Sequence, residues 1–353
     1  RMPKTKIEWT EYSWNPVTGC TPISEGCQNC YAKRMSKRLA GRCGYPKENP
    51  FKVTLHPERL DEPLKWRKPR KVFVCSMSDL FHPDVPFDYI TQVFDVMCSW
   101  RWPNKEAERI GDESLLEDPG HTYMVLTKRP ERVQDWLQWL FEYWPGDSPV
   151  NVNLSAEGHF GRHIWFGVTA ENQQRADERI PVLLQIPAAV RFVSIEPMLG
   201  PVDLTRIGGD WYGNGRINAL KGLQNDDTYV HEYNLRWKAK HCGELDWVIC
   251  GGETGPGARP MHPDWARSIR DQCQAAGVPF FFKQHGEWLH ETQGINFHEG
   301  HRYYVWPDES MSFRVGKKAA GRILDGRTWD ETPYEGGESS RRMHMQKICR
   351  PRR

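Results

Sequence analysis

Residues 123–141, YMVLTKRPERVQDWLQWLF, contain one complete structural unit. Tyr123 to Leu126 is a short apolar run of the length and residue type of a buried strand. Thr127-Lys128-Arg129-Pro130 ends it in polar residues, and a helical pattern follows over Glu131 to Phe141. The same unit recurs on both sides. Upstream, Lys71 to Met77 (KVFVCSM) reads as a strand and Phe87 to Cys98 as its helix. Downstream, Ile164 to Val168 runs into Thr169-Ala170-Glu171-Asn172 and a helix over Gln173 to Gln185. Arg191 to Ile195 then ends in Glu196-Pro197-Met198. Trp247 to Cys250 leads into Gly251-Gly252-Glu253-Thr254 and a helix over Pro263 to Ala276, and Val278 to Lys283 is the last strand of the series. A further strand near Thr10 to Val17 brings the total to seven. Strands alternating with helices imply a parallel sheet. The expected fold is α/β, a partial or full (β/α) barrel, with a doubly wound open sheet as the alternative.

The chain has 353 residues, a size that α/β barrels reach as one unit. The barrel is expected over 1–285, with polar, Gly-rich insertions at about 101–121 and 207–244, and an aromatic and basic extension over 286–353. Lys plus Arg number 48 against 46 for Asp plus Glu, which excludes a protein that coats polyanions with its whole surface. Nucleic-acid contact must therefore come from local patches. Lys65-Trp66-Arg67-Lys68-Pro69-Arg70-Lys71 interleaves basic residues with an aromatic, and Arg341 to Arg353 carries six Lys and Arg with no acid. Either patch can follow a phosphate backbone, or simply be solvated. Gly316-Lys317-Lys318-Ala319-Ala320-Gly321-Arg322 lacks the spacer and the Ser/Thr of a phosphate loop. No apolar run approaches the length of a membrane span, the longest being Val278 to Phe282. With no apolar stretch near the N-terminus, a cytoplasmic protein with reduced thiols is expected.

The strongest chemical signal is Cys20-x6-Cys27-x2-Cys30, within WNPVTGCTPISEGCQNCYA. Three thiolates within eleven residues select a soft metal, zinc or an iron–sulfur cluster. Zinc would want a closed tetrahedral set, with Cys43 available as the fourth ligand. A [4Fe–4S] cluster on three thiolates leaves one iron open to an exogenous ligand, the arrangement a catalytic cluster needs. Cys75, Cys98, Cys250 and Cys273 sit in strand or helix patterns as small core residues.

This cysteine segment, set after an initial strand and ahead of a βα series, resembles the radical S-adenosylmethionine enzymes. It is most similar to their phage-associated subfamily, whose members share an opening like Ile7-Glu8-Trp9-Thr10 followed by Trp14-Asn15-Pro16 and Thr18-Gly19-Cys20. FVCSMSDLF (Phe73 to Phe81), LTKRP (Leu126 to Pro130), GVTAEN (Gly167 to Asn172), SIEPMLGP (Ser194 to Pro201), ICGGETG (Ile249 to Gly255) and GKKAAGR extend the resemblance over nearly the whole chain. The longer spacer between the first two cysteines departs from the usual pattern. So does Asn29 before the third cysteine, where an aromatic is usual; here Tyr31 follows it. The Gly-Gly-Glu that usually follows the second strand is replaced there by Ser76-Met77-Ser78-Asp79, and Gly251-Gly252-Glu253 comes much later.

The resemblance implies that Cys20, Cys27 and Cys30 hold a [4Fe–4S] cluster whose fourth iron binds S-adenosyl-L-methionine. An electron then cleaves the cofactor to methionine and a 5′-deoxyadenosyl radical, which abstracts a substrate hydrogen. A donor such as flavodoxin or ferredoxin would supply that electron. Cofactor contacts are expected from Tyr31, Ser76, Ser78, Lys128, Asn172, Glu196, Gly251 and Gly252, the glycines allowing close backbone approach. Catalytic roles are expected for Asp79, Glu196, Lys283 and His285, all at strand ends. Each of these has a plainer reading as a helix cap, a turn or an ion pair. The implied substrate is a base in phage DNA, a hypermodified thymine to be modified or isomerised, acted on in the host cytoplasm. Two alternatives are a radical enzyme acting on a free nucleotide or peptide, and a zinc-stabilised nucleic-acid-binding protein without redox chemistry.

Overall fold

The computed structural model describes residues 5, 7–99, 120–209, 215–224, 243–294 and 300–333. The insertion expected near 101–121 lies outside the described residues except for its last two. Residues 225–242 of the second insertion and the basic end at 341–353 also lie outside them. Seven strands form one sheet: β1 (Tyr12–Trp14), β2 (Lys71–Val74), β3 (Thr122–Thr127), β4 (Ile164–Thr169), β5 (Val190–Ile195), β6 (Trp247–Gly251) and β7 (Phe280–Gln284). They stand side by side in chain order, and every neighbouring pair is parallel. A doubly wound sheet reverses its order at a switch point; this one does not. The fold is an open α/β half-barrel, with β1 and β7 as its edges.

Helices α1 (Tyr31–Leu39), α2 (Phe87–Ser99), α3 (Pro130–Tyr143), α4 (Pro149–Glu157), α5 (Gln173–Leu183) and α6 (Pro263–Ala276) lie in five of the six crossovers, the β5–β6 connection having no helix among the described residues. Alternation along the strands separates two cores. Val72, Val74, Val125, Phe166, Val193, Val248 and Phe282 face the helices and join Phe94, Trp136, Ile180 and Ile269 in the larger one. The intervening residues Met124, Trp165, Phe192, Trp247, Ile249 and Phe281 make a second core on the concave face. Trp9, from the segment before β1, packs into that core, with its ring 4.7 Å from Phe73 and 6.3 Å from Trp247. Trp247 and Val190 begin their strands, so this plug fills the N-terminal end of the barrel. The C-terminal end is left for polar groups.

Some expected boundaries shift for physical reasons. β2 stops at Val74 and not Met77, because Cys75 takes a φ of 60° and turns the chain off the ladder. β1 stops at Trp14, and Val17-Thr18 instead pairs antiparallel with Thr54-Leu55. Among the described residues after Gly286, β8 (Trp288–His290), β9 (Tyr303–Val305) and β10 (Met311–Arg314) form an antiparallel sheet in the order β8-β10-β9. The basic run Lys65 to Lys71 leads into the start of β2, at the end of the sheet away from the cysteines. Its aromatic is engaged, since Trp66 is half-buried with the Arg70 guanidinium 4.8 Å from its ring. Among the described residues no helix is long and apolar enough to cross a membrane.

On the concave face Gly167 leaves room for Phe192, and a Cβ there would sit 2.5 Å from that ring. Gly167→Ala is therefore expected to lower stability by about 1–3 kcal/mol in urea unfolding. In a Phe192→Leu background the same change should cost less, since the two sites share one volume.

Candidate functional site

The cysteine loop leaves the short strand at Val17-Thr18 and runs to the start of α1. Gly19 is obligatory, because its φ is +83° and a Cβ would lie 2.1 Å from the Lys52 carbonyl oxygen. Cys20, Cys27 and Cys30 are unbridged and partly exposed. Residues at the C-terminal ends of four strands hold this loop in place.

The first anchor is Asp79, after β2. Its carboxylate accepts from Thr127 Oγ1 (2.7 Å), Lys128 N (3.0 Å) and Arg129 Nη1 (2.9 Å). Arg129 reaches on to the loop, donating to the Thr21 carbonyl at 2.9 Å and to Cys20 Sγ at 3.6 Å. Glu171, after β4, is the second and is fully buried. It accepts from Ser24 Oγ (2.5 Å), Lys128 Nζ (2.7 Å) and Arg179 Nη1 (2.9 Å). Gly26 lies so close that a Cβ would meet Glu171 Oε1 at 2.3 Å. Glu253, after β6, is the third. It accepts from Asn29 Nδ2 (3.1 Å) and from Arg259 Nη2 (2.6 Å), while Arg259 also donates to the Glu25 carbonyl (3.0 Å).

These contacts set the ionisation of the site. Burial pushes the Cys20 thiol up to about 11, with the Asp79 charge adding to the rise and Arg129 opposing it. Burial would also raise Glu171, but the charges of Lys128 and Arg179 outweigh it and hold the carboxyl at about 2. Arg259 likewise holds Glu253 below the usual carboxylate range against the effect of burial.

On the concave side of the mouth, Glu196 after β5 and Lys283 on β7 form an ion pair at 2.6 Å. Glu8 stands 4.0 Å from the same ammonium and is bridged to Lys317 at 3.0 Å. Lys128 and Glu196 thus lie on one mouth with the cysteine loop. Other expected site residues are committed elsewhere. Ser76 Oγ donates to Asn15 Oδ1 (3.2 Å) and Ser78 Oγ to the Val17 carbonyl (2.8 Å). Asn172 caps α5, accepting from Arg175 N at 3.0 Å. Tyr31 opens α1 and is exposed. Gly251 faces Lys283 Cβ, and a Cβ on Gly252 would lie 1.9 Å from the His285 carbonyl oxygen, so Gly252 serves the β6–β7 junction. His285 is buried away from the mouth, its Nε2 2.7 Å from the Ile323 carbonyl oxygen.

Ser24, Arg179 and Arg259 escaped the sequence reading. The available signal was an acid just past a strand with an arginine several residues on, as in Glu171 with Arg179 and Glu253 with Arg259. Among the described residues no three His, Cys, Asp or Glu side chains gather round a single-ion site. The donor chemistry still fits a thiolate-held centre: three free thiols share one loop, and a guanidinium stands against one of them.

A family model described as "Protein of unknown function (DUF5131)" matches residues 4–333. No curated protein matched the sequence. Two solved structures align over most of the chain. One is a spore photoproduct lyase complexed with dinucleoside spore photoproduct, at 9% identity and a TM-score of 0.41, covering 91% of this chain and 72% of that one. The other is a spore photoproduct lyase variant with bound AdoMet and dinucleoside spore photoproduct, at 9% identity and a TM-score of 0.40, covering 89% and 71%. Neither carries a residue role over to this chain.

The depressed Glu171 pKa has a sign that can be tested. The stability it contributes is present above its ordinary value of 4.5 and is lost as pH falls from there towards about 2. Glu171→Gln is expected to remove that part of the acid dependence. At pH 7 it should cost about 3–5 kcal/mol, because Lys128 and Arg179 lose their partner in a buried network. Urea unfolding of both proteins at pH 7 and stepwise from 4.5 downward checks both.

Proposed function

The chain belongs to the DUF5131 family, and we propose that it is a radical S-adenosylmethionine enzyme that modifies or isomerises a nucleobase in DNA. The observation that carries this reading is the set of three free cysteines on one loop, fastened across the C-terminal ends of a parallel half-barrel by Asp79, Glu171 and Glu253. In barrels of parallel strands that end is where chemistry is placed. Cys20, Cys27 and Cys30 would hold a [4Fe–4S] cluster. When bound, it supplies the one-electron reductive cleavage of S-adenosyl-L-methionine to methionine and a 5′-deoxyadenosyl radical, fed by a donor of the flavodoxin or ferredoxin class.

The protein's own part is position and exclusion of water. Arg129 fixes the Cys20 end of the loop, Ser24 its middle and Asn29 its far end. Lys128, tied to the cysteine loop through Glu171, would be one contact for the cofactor. Glu196 and Lys283, paired at 2.6 Å on the concave side, present a carboxylate and an ammonium to a polar substrate group. Either can exchange a proton with it. Asp79 acts through Arg129, and His285 through the β7 turn, as positioning residues. Residues 1–285 are assigned as the catalytic body and 286–353 as its extension. The proposed substrate is a hypermodified thymine of phage DNA, met in the host cytoplasm.

The test is anaerobic reconstitution with iron and sulfide, then reduced-state EPR with and without S-adenosyl-L-methionine. A [4Fe–4S] signal that shifts on cofactor addition, with 5′-deoxyadenosine released, is expected. Cys20→Ala, Cys27→Ala and Cys30→Ala should each abolish both. Lys283→Met should retain the EPR shift yet slow substrate conversion by about 10²–10⁴-fold, the usual scale for a lost proton-transfer group. Stoichiometric zinc and no cofactor cleavage would overturn the reading.

A further inference from the structure

Helix α1 begins where the cysteine loop ends, with Cys30 as its N-cap. Ala32, Met35 and Leu39 pack with Tyr45, Phe51 and Met77, and Ser36 on the same stripe is buried. The opposite side carries Lys33 with Lys37 and Arg34 with Arg38, each pair one helical turn apart. Lys33, Lys37 and Arg38 are exposed, and Arg34 is half-buried, donating to the Thr254 carbonyl at 3.1 Å.

Residues 31–52 hold seven Lys and Arg against one acid, Glu48, in a chain whose net charge is only +2. Elsewhere such charges are neutralised: Arg129, Arg175, Arg179, Arg259 and Arg267 each meet a carboxylate. Among the described residues none of the seven does. The pattern works against the helix. Like charges one turn apart repel, and Lys33 and Arg34 stand in the first turn, at the positive end of the helix dipole. Folding alone gives no reason for it; a partner that supplies the missing acids does. Two observations say which partner. Lys33 is one turn from Cys30, about 5 Å along the helix axis, so whatever seats on this face comes close to the thiols. Ile23, 40% exposed, and Tyr31, 54% exposed, add apolar surface beside them. An aliphatic side chain offers nothing to a phosphate backbone and suits a protein face.

We propose that the outer face of α1, with Ile23 and Tyr31, is the docking surface for a small acidic electron-donor protein of the flavodoxin class. The purpose of this contact rests on the radical reading above; the contact itself does not. The encounter is of the small, charge-steered kind, quick to form and quick to part. One electron leaves the reduced donor and enters the centre held by the thiols, and no bond is made or broken in the contact.

The experiment titrates the full-length, metal-free chain against an acidic flavodoxin labelled with fluorescein, followed by anisotropy. Lys33→Glu combined with Lys37→Glu is expected to weaken binding about tenfold or more at low salt, the scale on which charge steering acts, and to flatten its salt dependence. Both side chains are exposed, so the variant should unfold at the parent's temperature. A carbodiimide, which joins an amine directly to a carboxylate, should link Lys33 or Lys37 to the flavodoxin. Equal affinity of parent and variant, or cross-links confined to lysines outside residues 31–52, would overturn the proposal. So would an oligonucleotide that binds this face with the same charge dependence while the flavodoxin does not. After loading with iron and sulfide, dithionite and reduced flavodoxin are compared as reductants. The variant should release 5′-deoxyadenosine at the parent's rate with dithionite and about tenfold more slowly with flavodoxin. Release with dithionite but no flavodoxin binding overturns the docking surface alone. Charge-dependent binding with no cluster formed overturns the radical reading and upholds the surface.

Discussion

A carboxylate taken out of water must find donors for both its oxygens, or its burial costs several kcal/mol. Asp79, Glu171 and Glu253 each meet part of that demand with a group on the cysteine loop or an arginine that reaches it. The dependence is mutual. The loop has few apolar residues with which to build a core of its own, and each acid completes its set of donors from the loop side. Withdraw the acids and the loop loses its reason to lie across the mouth. The position of the three thiols is therefore an electrostatic outcome, in contrast to the apolar packing that sets the strands.

The half-barrel provides the frame for this arrangement. Its convex face is covered by helices, and its concave face is filled at the N-terminal end by Trp9, Phe192 and Trp247. Polar residues on the concave face are thus confined to the C-terminal end, where Lys128, Glu171, Glu196 and Lys283 follow the same alternation that places Met124, Trp165 and Phe192 below them. The site and the inner core are consecutive layers of one pleated surface. The small antiparallel sheet after β7 is bound to the same end, since Glu287 N donates to the Glu253 carbonyl and Gly255 N to Glu287 Oε1.

The βα frame was legible because Tyr123 to Leu126, Ile164 to Val168 and Trp247 to Cys250 are apolar runs too short for helices and too regular for loops. The strand order was not, since a doubly wound sheet has the same βα rhythm and differs only in which strands pair. The C-terminal sheet was not legible: β8 and β9 have three residues each, and β9 is exposed on both faces, so neither shows a buried alternation. The cysteines announced themselves by spacing. Of the acids of the mouth, Asp79 and Glu196 could be named from their strand-end positions, but the anchoring part of Glu171 and Glu253 could not. Arg259 and Ser24 become neighbours of the site only when strands distant in sequence meet. His285 shows the opposite failure: a polar residue at a strand end that the chain turns inward, into a carbonyl and the ring of Phe282.

The ties of the cysteine loop are unusually long in sequence. Ser24 and Glu171 are 147 residues apart, Asn29 and Glu253 224, and Arg259 and Glu25 234. A growing chain is made from its N-terminus and folds as its segments emerge. The three thiols are thus made well before the partners that fix them. Iron delivered to the nascent chain would meet a loop with no set geometry, open to oxidation and to wrong metals. Iron delivered after release would meet thiols already arrayed over the mouth. Were these thiols to hold the proposed cluster, its loading would belong to the finished chain.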